Sequence, residues 1–119
     1  MSDITTLLQN YSRGQRDFSG VCLTDVNLSQ VDLKGADLSY SDLSNIDLSE
    51  ANLRGADLSY AKLCRVNLHD ADLRGAMLIG TDLRDASLQN ANLKDADYAP
   101  GTTRFPNEFD PGLAQMCSV

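Results

Sequence analysis

The sequence predicts an all-β solenoid, a parallel β-helix whose coil has four short faces. Three features of the chain point to it. Every fifth residue from Phe18 to Tyr98 is large and apolar, in seventeen consecutive pentads that run through Leu23, Leu28 and Leu33 to Leu93. Two places before most of these centres sits a small or β-branched residue, as at Val21, Val26, Val31, Ala36, Ile46, Ala51 and Ala56, with a polar residue, usually Asp or Asn, between the two. A slower period is laid over the first. ADLSY recurs at 36–40 and 56–60, Gly35, Gly55 and Gly75 share one column, and Lys34, Arg54, Arg74 and Lys94 share the column before it.

The apolar–polar–apolar triplet alternates sides as a strand does. Two polar places then turn the corner. A period of five suits no long helix, which needs 3.6, and neither heptads nor hexapeptide repeats share it. Fixed self-similarity reads as a solenoid, and the twenty-residue period closes the coil after four pentads. About four coils are expected, roughly 20 Å long at ~4.8 Å per coil.

Three segments follow in order. Residues 1–15 form an N-terminal helical cap, with Ser2 or Asp3 capping a helix over Ile4 to Tyr11 and Gly14 stopping it. Ile4, Leu7, Leu8 and Tyr11 give that helix an apolar face to plug the first coil. Residues 16–100 are the solenoid, with Arg16 on an inward place of the first pentad and reaching out past the rim. Residues 101–119 are a C-terminal capping tail carrying Phe105, Phe109, Leu113 and Met116, in which Pro106 and Pro111 disfavour strand pairing. Two plugged ends predict a monomer over a fibre.

The tandem A(D/N)LXX pattern over 16–100 resembles the pentapeptide-repeat family. The opening Arg13-Gly14-x-Arg16-Asp17-Phe18-Ser19-Gly20 and the closing Phe105-Pro106-x-x-Phe109-Asp110-Pro111 are similar to cyanobacterial members. The resemblance implies a right-handed quadrilateral β-helix, a hand that also suits the general preference for right-handed crossovers. Some cyanobacterial members are implicated in regulating differentiation or other cell responses, and most have no assigned activity. Other relatives protect type II topoisomerases by presenting an acidic, DNA-like rod.

An interior filled with Leu and Ala leaves no ligand cavity, and flat walls are unlike enzyme pockets. Ser41 and Thr81 take inward places, where their hydroxyls are expected to bond to backbone. G-x-S-x-G, P-loop and H-x-x-x-H patterns are absent from the sequence. His69 is the single histidine and is expected at the solvated surface. No catalysis, cofactor or metal is expected. A net charge of −7 disfavours nucleic acid and anionic membrane as partners. The N-terminus lacks basic residues ahead of an apolar run, and no stretch approaches spanning length, so the cytoplasm is the expected compartment. Three cysteines, an odd number, fit reducing conditions. Cys22 and Cys64 fall two coils apart, roughly 10 Å, too far for a disulfide.

The four walls differ. The first, through Phe18, Leu38, Leu58 and Leu78, carries Asp17, Asp37, Asp57 and Asp97 and no outward base. The second runs through Leu23 and Leu63 with mixed charge, and the third, through Leu28 and Leu48, carries Asp47, Glu50, His69 and Asp70. The fourth, through Leu33, Leu53, Leu73 and Leu93, has the ladder Lys34, Arg54, Arg74 and Lys94. The first-wall carboxylates are expected to accept local backbone hydrogen bonds, since one straight row rarely surrounds a cation.

In the fourth coil Met77 replaces the outward Asp and Ile79 follows the centre, while Tyr40 and Tyr60 stack at the neighbouring corner. Tyr40, Tyr60, Met77 and Ile79, beside Asp37 and Asp57, are the candidate interaction site. A tail folded back so that Phe105 or Phe109 covers Met77 and Ile79 is the competing arrangement. The expected function is a non-catalytic protein-interaction or scaffold module with an unidentified protein partner. The alternative is a DNA-mimicking modulator of a type II topoisomerase. Against it stand the short rod, about six base pairs long, the cations on two walls, and the capped ends.

Overall fold

A computed structural model describes residues 4–119. Each pentad folds as its pattern requires. The Leu centre and the preceding small residue point inward, and the Asp or Asn between them points out and pairs with its counterparts twenty residues away. Asp42 shows the unit. Its N–H donates to Val21 O at 2.9 Å, and its carbonyl accepts from Leu23 N–H at 3.0 Å. Parallel pairings of this kind join Asp17–Asp37–Asp57–Met77–Asp97 on the first wall, Cys22–Asp42–Lys62–Asp82 on the second, Asn27–Asp47–Asn67–Ser87 on the third and Asp32–Asn52–Asp72–Asn92 on the fourth.

Each face is so short that most pairings are one residue wide. Regular sheet among the described residues is limited to β1 (Asp97–Tyr98) and β2 (Cys117–Ser118), paired in parallel. The all-β expectation therefore takes the form of a ladder of single rungs, joined by one helix, α1 (Ile4–Ser12).

Corners close by a bond from the small residue's N–H to the preceding Leu carbonyl, as from Ala36 to Leu33 at 3.0 Å. The residue just before the small one takes positive φ, the signature of a type II turn. Gly35 does so at φ 72, and Asn45 and Asn90 at 65 and 60. Glycine and asparagine tolerate this region. Tyr40 and Tyr60 occupy the same conformation at φ 61 and 60.

The interior is a stack of fully buried leucines from Leu23 to Leu83, with Ala36, Ala56, Ala76 and Ala96 filling corners. Ser41 and Thr81 are buried as expected. Ser41 Oγ donates to Leu38 O and Thr81 Oγ1 to Leu58 O, the latter at 2.7 Å.

At one end α1 buries Leu7 and packs Ile4, Leu8 and Tyr11 on the core. The proposed caps Ser2 and Asp3 lie outside the described residues. The helix stops at Gly14, with φ 101. Tyr11 Oη donates to Lys34 O at 2.6 Å, and the Arg16 guanidinium lies 3.7 Å over the Tyr11 ring, clear of the interior.

At the other end the tail departs from expectation. Arg104 pairs with Asp82, and β2 pairs with β1, so the tail adds rungs to the second and first walls. Pro106 and Pro111 do not prevent this, because they fall between the pairing points, where no N–H is required. Phe105 packs edge-on to Tyr98 at 5.6 Å and stacks on Phe109 at 4.9 Å. Both rings pack against the end of the core. The whole measures 36 × 24 × 22 Å. No described helix is long and apolar enough to cross a membrane.

Candidate functional site

The first wall brings the six expected residues together. Asp37 pairs with Asp57, and Asp57 with Met77. The Tyr60 N–H donates to Ile79 O at 2.8 Å, which places Ile79 beside the Tyr60 corner. The Tyr40 and Tyr60 rings stack at 5.3 Å with planes 15° apart. The column ends on Gly80, where a Cβ would come within 2.5 Å of the Tyr60 ring, so the ring occupies the space that only glycine leaves.

Exposure separates the members. Tyr40 is 68% exposed, Tyr60 51% and Met77 38%, whereas Ile79 is half-buried. Phe105 and Phe109 pack with Tyr98 against the core, and the tail reaches the neighbour of Ile79, where Thr103 Oγ1 donates to Leu78 O at 2.6 Å. Asp37 and Asp57 are half-buried on the same wall.

The carboxylate row is built by local bonding. Asp17 Oδ1 accepts from Ser19 N–H at 3.0 Å and Ser19 Oγ at 2.7 Å, and Asp37 accepts the same pair from Ser39. These bonds hold the Asp17 carboxyl below its ordinary range. Asp57 accepts only Ser59 N–H, at 2.9 Å. Ser59 Oγ is buried and has no hydrogen-bond partner, in a residue only 8% exposed. Sequence reasoning missed this orphan, because all three rungs read Asp-Leu-Ser or Asp-Phe-Ser.

Elsewhere the charges pair among themselves. Arg74 forks onto Asp72, with Nε and Nη2 at 2.9 and 2.7 Å from its two oxygens, and Arg84 does the same to Asp82 at the same distances. Both carboxyls are held well below the ordinary range, first by the arginine side chain. Cys64 lies beside Asp82, and burial followed by the Asp82 contact raises its thiol pKa, which lowers its nucleophilic thiolate fraction. His69 Nε2 lies 3.0 Å from Asp70 on the surface. Among the described residues, no group of His, Cys, Asp or Glu converges to hold a metal ion.

A family profile for pentapeptide repeats matches the chain in eight copies over residues 32–70 and 67–97. The crystal structure of alr5209, a pentapeptide repeat protein from Nostoc PCC 7120, is 49% identical, with 100% of this chain and 98% of that one covered and a TM-score of 0.97. HetL, a pentapeptide repeat protein of Nostoc sp. strain PCC 7120 involved in heterocyst differentiation regulation, is 32% identical over 89% of this chain and 57% of its own, with a TM-score of 0.35. AT2G44920, from the Arabidopsis thaliana thylakoid lumen, is 32% identical over 82% and 63%, with a TM-score of 0.42. No curated protein matches the chain.

Proposed function

The chain belongs to the pentapeptide-repeat family, and from that premise we propose that it is a non-catalytic protein-interaction module whose contact is the first wall. The observation that carries this reading is the Tyr40–Tyr60 stack. A non-glycine residue in the left-handed region costs about 1–2 kcal/mol. Two large rings hold that conformation while remaining more than half exposed. Gln30, Glu50 and Arg65 hold the same conformation at other corners, so what sets the two tyrosines apart is the exposed, stacked aromatic surface they present. Exposed Tyr and Met side by side suit a protein contact.

In this reading the β-helix is right-handed, with the solenoid over 16–100 between an N-terminal cap and a C-terminal tail. The protein is a monomer of the cytoplasm, and its partner is neither nucleic acid nor membrane. The DNA-mimic reading is the weaker one, because Arg74 and Arg84 project from two walls, 43% and 57% exposed.

Affinity capture from host extract tests the contact. Wild type is compared with Tyr40→Asn/Tyr60→Asn and with Met77→Asp, each checked by circular dichroism. Ile79 is left alone because it is half-buried. A partner held by wild type and lost by both variants supports the first wall. Equal capture by all three moves the contact elsewhere and defeats the reading.

A further inference from the structure

We propose that the first wall docks an extended, arginine-bearing segment of a partner protein, an assignment that rests on the contact reading above and names its chemistry. Arginine recognition combines two elements, a carboxylate to meet the planar fork and an aromatic face to stack on it. The molecule builds each of them on its own arginines. Arg84 forks onto Asp82, and Arg16 stacks on Tyr11. The first wall presents both elements together. Asp17, Asp37, Asp57 and Asp97 line it without an outward base. None of these four is in an ion pair among the described residues. Tyr40 and Tyr60 stand at the adjoining corner.

One rung is unfinished. The carboxylates of Asp17 and Asp37 each accept a serine hydroxyl, whereas Asp57 does not, and the Ser59 hydroxyl beside it is buried without a partner. An incoming guanidinium offers donors to the spare lone pairs of the Asp57 carboxylate, on the wall whose corner carries the exposed Tyr60 ring. Met77, on the next rung, gives an apolar seat for the arginine methylenes. A lysine has neither plane nor fork, so it matches this wall less well.

The test is fluorescence anisotropy on the full chain, with a labelled peptide of alternating arginine and glycine and its lysine counterpart as probes. Saturable binding of the arginine peptide, weakened by salt, is expected, with the lysine peptide about tenfold weaker. Asp37→Asn/Asp57→Asn should weaken the arginine peptide by about tenfold or more. This variant keeps the fold, because Asn27 and Asn67 already accept the same backbone bond, at 2.8 and 3.0 Å. Asp47→Asn on the third wall should change nothing. Equal binding of the two peptides, or equal binding by wild type and the double variant, overturns the proposal. If the arginine peptide fails while native capture still depends on Tyr40 and Tyr60, the contact stands and the arginine assignment falls.

Discussion

On the fourth wall the outward column reads Asp32, Asn52, Asp72, Asn92, and its cations include an arginine forked onto one of those aspartates. On the first wall Asp17, Asp37 and Asp57 follow one another without a neutral residue between them, and tyrosines stand where the fourth wall has Gly35, Gly55 and Gly75. The backbone pairing is the same, and so is the leucine interior behind it. The interior holds the fold, so the surface of each wall is free to differ. The fourth wall relieves its repulsion and keeps easy corners. The first wall keeps the repulsion, about 1 kcal/mol per close pair in water-like surroundings, and sets two exposed rings at corners of a kind that Gln30, Glu50 and Arg65 fill with polar side chains on other walls. Repulsion that the fold does not require, beside exposed rings, points to use.

The largest effect should not distinguish the walls at all. Leu53→Ala and Leu58→Ala should each destabilise by about 2–5 kcal/mol in urea unfolding, since stacked neighbours cannot collapse into the hole. A difference greater than about 2 kcal/mol between them would break the claim of a common interior.

Glycine corners come next. Gly55→Ala meets nothing within 4 Å and should cost about 1 kcal/mol for its φ of +65 alone. Gly80→Ala adds a clash with the Tyr60 ring and should cost about 2–3 kcal/mol. Tyr60→Asn should rescue Gly80→Ala but leave Gly55→Ala unchanged. Failure of that rescue would show that the ring does not depend on the glycine.

Acid sharpens the comparison further. Asp72 and Asp82 have folded pKa values below their unfolded ones because of Arg74 and Arg84. Their stabilisation is full above about pH 4–5 and is lost as pH falls through the folded values. Thermal stability should therefore hold from neutrality to about pH 5 and decline below about pH 4. The smallest effect is Arg74→Gln, expected to lower thermal stability only slightly because the pair is solvent-screened. It should flatten part of that acid decline.

The sequence made most of the fold legible because one period dictates which side chains enter, which leave and which share a wall. Tyr40, Tyr60, Met77 and Ile79 could be placed together for the same reason. Beyond Pro100 the period stops, so the rungs at Arg104 and Cys117–Ser118 left no signal. The left-handed tyrosines and the seat at Gly80 required backbone angles, which a list of residue types does not supply. The Ser59 orphan required the hydrogen bonds themselves. The half-buried state of Ile79 separates it from Met77, although both occupy outward places in the pattern.

Pairing at an interval of twenty residues throughout the repeats has a consequence for how such chains change over time. Loss or gain of one whole coil leaves every later residue on its own wall, so the rod changes length and keeps its faces. Loss or gain of a single pentad turns everything downstream by a quarter of a revolution. The apolar interior accepts either event, because nearly every pentad presents a similar inward pair of one large and one small residue. Met77 would then move off the column that holds Asp37 and Asp57, and a stable protein would present a scrambled face. Selection acting on the surface alone can thus count in twenties, while selection on folding counts only in fives.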